Sequence, residues 1–129
     1  MASELYRKGI ELMRQMYADG VGDMDVALPP GDTWSKELTA WCYGHLMQER
    51  SVGVLDVKAK ALCAIAMLTS LGKQEMLGIW IGGALRLGCT VDEIRETIIS
   101  MTSYTGYPAV RDALATAALV VSNRANDAP

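Results

Sequence analysis

Apolar side chains recur along this chain three and four residues apart, and no stretch alternates apolar with polar between hairpin turns. That periodicity confines the fold to packed helices. Leu5, Gly9, Leu12 and Met16 form a first stripe behind a Ser3 cap, and the helix runs out near Gly20 and Gly22. From Val21 to Gly31, glycines, aspartates and the pair Pro29-Pro30 cannot sustain helix and read as a loop. Asp32 or Thr33 then caps a second helix to about Glu49, whose inward stripe is Trp34, Leu38, Trp41 and His45. That stripe places the chain's single histidine on an apolar face.

Asp56 is a suitable cap for a third helix with Val57, Ala61, Ile65 and Leu68 inward, closed by Gly72. The fourth, Lys73 to Leu87, carries Gly78, Gly82 and Gly83 around Trp80. Each helical glycine costs about 1 kcal/mol relative to alanine, so close helix approach or space for a ligand must compensate. Gly88 ends that helix. Thr90-Val91-Asp92-Glu93 has the form of a capping box and starts a fifth helix to about Tyr104. Gly106-Tyr107-Pro108 breaks it, and an alanine-rich helix follows from Ala109 to about Asn123. The expected fold is all-α: one domain, a bundle of about six helices. It comprises an N-terminal helix and loop over 1–32, a core over 33–123 and a polar tail over 124–129.

Composition narrows the function. With 129 residues there is room for one core and not for two. No apolar run approaches the roughly 20 residues that cross a bilayer, and the opening Met1-Ala2-Ser3-Glu4 lacks the basic and apolar blocks of a secretion signal. A cytoplasmic location, with no membrane partner, is therefore expected. The net charge of −3, with cations scattered among carboxylates, offers no basic stripe for a nucleic-acid backbone. Cys42, Cys63 and Cys89 are odd in number and far apart, which suits neither a disulfide framework nor a metal cluster. Eight methionines without a phenylalanine suit an adaptable core and an apolar pocket.

From Trp41 to Val121 the order of features is more specific. Tyr43-Gly44 is followed by Leu55-Asp56, then by a helix containing Leu62-Cys63-Ala64-Ile65-Ala66-Met67-Leu68. After the helix that carries Ala84 and ends at Gly88 come Thr90-Val91-Asp92-Glu93-Ile94-Arg95-Glu96 and Tyr104-Thr105-Gly106-Tyr107-Pro108-Ala109. This succession resembles the carboxymuconolactone decarboxylase family and its relatives, the alkylhydroperoxidases. The resemblance implies an all-helical, cofactor-free subunit that assembles as a homotrimer or homohexamer around a small-molecule pocket.

The functional positions depart from that pattern. The paired cysteines of the alkylhydroperoxidases fall on Lys73 and Met76, and the histidine that follows them falls on Trp80. A peroxidase would thus lack its nucleophile, its resolving thiol and its base. In the decarboxylases the glycine matching Gly44 precedes a glutamate, where this chain has His45, and the segment from Gln48 to Val54 is longer than the family's turn. An imidazole has in effect changed position within the resembled pocket.

His45 is accordingly the candidate proton-transfer residue, because an imidazole serves as both base and acid near neutral pH. Trp80, Trp41 and Trp34 are candidate substrate-binding residues that could stack on a flat ring, an indole being unable to accept a proton. Glu75, Tyr104 and Cys63 complete the candidate site, and no metal ligands are expected. The expected activity is that of a lyase or isomerase acting on a small enolisable lactone, keto acid or polyketide-like ring. The alternatives are a non-catalytic ligand-binding or scaffold subunit and, less favoured, a peroxidase.

Overall fold

The computed structural model describes residues 4–16, 36–38, 40–48 and 54–127. The Ser3 and Asp32/Thr33 caps, the 21–31 loop, Gly53 and Trp34 lie outside them. Every regular element among the described residues is helical: α1 (Glu4–Met16), α2 (Ala40–Gln48), α3 (Val57–Leu71), α4 (Gln74–Arg86), α5 (Val91–Ser100), α6 (Thr102–Thr105) and α7 (Tyr107–Asp127). The all-α class is therefore as the periodicity requires. The chain divides into two compact units, Met1–Val57 and Lys58–Pro129.

In the first unit α1 buries Tyr6, Gly9, Leu12, Met13 and Met16. Of the stripe read from sequence, Gly9, Leu12 and Met16 are buried and Leu5 only partly so. Its partner is α2, which differs from expectation. It is π-helical, wound with hydrogen bonds from i to i+5 rather than i+4. Ala40, Gly44 and Met47 are buried and face inward, at the four-and-three spacing of one helix face. The expected inward stripe instead lies largely open: Leu38 is 63% exposed and Trp41 54%, while His45 is half-buried. The buried face lies one position before the expected one, through Ala40 and Gly44 rather than Trp41 and His45, because Gly44 lets the α2 backbone settle on that of α1.

The second unit has its core among α3, α4, α5 and α7. Ala61 and Ile65 from α3 pack with Leu77, Ile81 and Ala84 from α4, Ile94 and Ile98 from α5, and Val110, Ala113 and Ala117 from α7. Each fully buried leucine or isoleucine contributes about 2 kcal/mol by removal from water. Gly72 (φ 70°) and Gly88 (φ 102°) adopt the left-handed conformation that ends α3 and α4, as their positions suggest. Between α4 and α7 the Thr116 hydroxyl donates to Gln74 Oε1 at 2.6 Å.

The fifth helix stops at Ser100 rather than reaching Tyr104. Met101 N–H turns back to Ile98 O at 3.0 Å, tightening the turn before the short α6. Hydroxyls crowd this region: Thr97, Ser100, Thr102 and Thr105 donate to the carbonyls of Glu93, Glu96, Ile99 and Met101. Side-chain bonds of this kind compete for helix carbonyls and bend the helix. At the other break, α7 begins at Tyr107 and not after Pro108, and it continues past Asn123 to Asp127. Proline is tolerated in a first turn, where its missing N–H has no intrahelical acceptor.

The capping box of α5 forms as its sequence requires. Glu93 N–H donates to Thr90 Oγ1 at 3.0 Å, and Thr90 N–H donates to Glu93 Oε1 at 2.8 Å. The backbone bond from Thr90, then its side chain, hold the Glu93 carboxyl below its ordinary pKa, with Lys58 adding a smaller pull. A depressed folded-state pKa means stability that is present above the ordinary glutamate range and lost as pH falls through the folded value. Thermal melts from pH 7 down to pH 3 should therefore show an acid limb that flattens in Glu93→Gln, which keeps an acceptor oxygen and loses the charge. An unchanged acid limb in that variant would show that the box contributes nothing to pH-dependent stability.

Candidate functional site

His45 and Trp41 are the candidates that the structure brings into contact. They sit four residues apart on α2, and one ring lies over the other with centroids 4.6 Å apart and planes inclined by 26°. This is an offset stack of two aromatic rings. His45 keeps part of its surface open, and Leu38, Trp41 and Leu46 of the same segment are exposed. The imidazole thus lies at an accessible apolar surface of its unit. π-Helical turns are uncommon in proteins and concentrate at functional sites.

The remaining described candidates belong to the second unit. Trp80, on α4, is half-buried and packs against the core formed around Ile81 and Ala84. Glu75 is exposed in the first turn of α4, where a carboxylate complements the helix dipole. Cys63 is exposed on α3, a position that fits neither a packed core thiol nor a redox pair. Tyr104, on α6, is 83% exposed. Of the other thiols, Cys42 is half-buried and Cys89 is buried, with its sulfur 3.8 Å from the Lys58 carbonyl.

Among the described residues no group of three or more histidine, cysteine or carboxylate side chains is placed to hold a metal ion. An open hollow along α1 is lined by Tyr6, Arg7, Ile10, Glu11 and Arg14 and includes none of the candidates. Its charged lining does not suit an apolar ring.

The model of the carboxymuconolactone decarboxylase family matches residues 36–119, well over half of the chain. The chain belongs to that family. No curated protein matches it. As a member of the carboxymuconolactone decarboxylase family, it carries Trp41, His45, Cys63, Glu75, Trp80 and Tyr104 inside the matched stretch, whereas Trp34 falls before it.

Sequence reading overlooked the role of Gly44. A Cβ at that position would run into the backbone carbonyl oxygen of Leu5 and stand 3.3 Å from the Gly9 nitrogen. The stacked pair is therefore carried by a helix laid directly on the backbone of α1. A signal was available: Gly9 and Gly44 are isolated glycines within helical stretches, where they cost stability unless backbones approach.

Proposed function

We propose that this member of the family is a cofactor-free lyase or isomerase in which His45 transfers a proton on a small enolisable lactone, keto acid or polyketide-like ring. The observation that supports this most is an accessible imidazole, stacked on Trp41, in the position where the resembled decarboxylases carry a glutamate. His45 takes a proton from the carbon beside the substrate carbonyl and returns it at another atom of the resulting enolate. In the decarboxylating variant, the carbon–carbon bond breaks, carbon dioxide leaves, and the protonated imidazole supplies the proton that replaces it. Trp41, exposed beside His45, is the proposed ring contact, and Trp34, Trp80, Glu75, Tyr104 and Cys63 are the other proposed substrate-binding residues. Exclusion of water around the ring strengthens the interactions that stabilise the enolate.

A thermal-shift screen with aromatic lactones and keto acids, followed by turnover assays on the compounds that stabilise the protein, tests this reading. Stabilisation without turnover would favour the second reading, a ligand-binding or scaffold subunit. That reading is supported by Trp80, which stands where the resembled enzymes keep a histidine. The peroxidase alternative is disfavoured because Lys73 and Met76 occupy the places of the thiol pair.

We further propose that the chain works as a homotrimer or homohexamer in the cytoplasm. Met67 and Leu71 on α3, and Met76 and Ile79 on α4, are apolar side chains left exposed in the single chain, and a closed symmetric assembly would cover such groups. Among the described residues no helix is long and apolar enough to cross a membrane. Light scattering at micromolar protein should give a trimer or hexamer mass, and a monomer mass would sink the assembly proposal.

A further inference from the structure

We infer that Trp41 acts through His45, as the positioning residue that covers one face of the imidazole and fixes the plane in which its nitrogens are presented. Histidines that move protons need an orienting partner, most often a carboxylate or carbonyl that bonds one ring nitrogen. In this chain the His45 ring stacks on the indole of Trp41, at 4.6 Å between centroids. The two residues sit four apart on α2, a spacing that puts their side chains on one face of the helix. Stacking of this strength biases a ring's orientation by a factor of roughly 2 to 10. The face of His45 turned to Trp41 is covered, while proton exchange takes place, as in any imidazole, at the in-plane ring nitrogens.

The consequence for turnover rests on the proposed function, but the positioning itself can be read without a substrate. His45 is the sole histidine, so its two ring C–H resonances are unambiguous in an NMR spectrum. In the unmodified protein they should be displaced by the indole ring current and should show through-space transfer to Trp41 protons. Trp41→Leu should return them to the values of a free imidazole and raise the rate of diethyl pyrocarbonate acylation by about 2- to 10-fold, with Trp41→Phe restoring most of both effects. Once a turnover assay exists, Trp41→Leu should lower kcat by a similar factor in addition to any rise in KM from its lost ring contact, whereas a residue that only walls the pocket would raise KM and leave kcat unchanged.

Unshifted histidine resonances and no transfer to Trp41 in the unmodified protein would overturn the inference, even if Trp41→Leu failed to fold. So would a Trp41→Leu variant whose acylation rate matches the parent. If those results came with a His45→Gln variant that had lost turnover, the proposed function would stand while the positioning role fell. A confirmed stack with Trp41→Phe rescue supports positioning, and full turnover in His45→Gln would then count against the proton-transfer reading alone.

Discussion

His45→Gln should lower turnover about 10²-fold or more and leave ligand affinity little changed. Glutamine retains most of the size of the ring and can still donate and accept hydrogen bonds, so the packing beside Trp41 suffers little. What it lacks is a nitrogen able to take and return a proton near neutral pH. The chain holds one histidine, so no other imidazole can substitute. The measurement is kcat and KM on the compound that the ligand screen identifies. A fall confined to KM would make His45 a binding group, and undiminished kcat/KM would move the binding-module reading ahead. Trp80→His is the companion experiment because it restores the residue kept in the resembled enzymes. Gain of decarboxylation in that variant would show that position 80 carries the missing chemistry.

The degree to which this chain could be read in advance varied with the kind of signal. Some capping and chain-ending signals held: Thr90 and Glu93 form the reciprocal bonds of a capping box, and Gly72 and Gly88 take positive φ at helix ends. The helix limits expected at Tyr104 and Ala109 lie instead at Ser100 and Tyr107. The core face of α3 was legible in the spacing of Ala61 and Ile65, which are buried, while Val57 and Leu68 of the same stripe are only partly so. The face of α2 was not, because it meets α1 through the small residues Ala40 and Gly44, whose close backbone approach a stripe of large apolar side chains does not signal. Of the candidate site, sequence picked out the two residues that stack, but it placed them on a buried stripe. The glycine-rich α4 was expected to need close backbone approach or ligand space, yet at Gly78 an added methyl would meet Thr116 Cγ2 at 3.5 Å, an ordinary contact. The close approach occurs at Gly44 instead.

Gly44→Ala should accordingly destabilise the first unit by about 3 kcal/mol or more, beyond the usual range for an added core methyl. Overpacking is normally relieved when a neighbouring side chain changes rotamer. The atoms in the way here are the carbonyl oxygen and carbon of Leu5, the latter 2.9 Å from the new Cβ, and neither can rotate away without disturbing α1. Relief therefore requires α2 to lift from α1, uncovering the apolar side chains of Leu12, Met13 and Met16. Gly78→Ala is the contrasting substitution: its methyl has room, and replacing a helical glycine should raise stability by up to about 1 kcal/mol. Because the chain contains two compact units, one melting temperature could mask the difference. Amide hydrogen exchange resolved by segment separates them, with protection falling over residues 4–16 in Gly44→Ala while that over 91–127 is retained. Equal protection of residues 4–16 in Gly44→Ala and the parent would show that α1 and α2 do not meet backbone to backbone, and the stacked Trp41–His45 pair would lose its support.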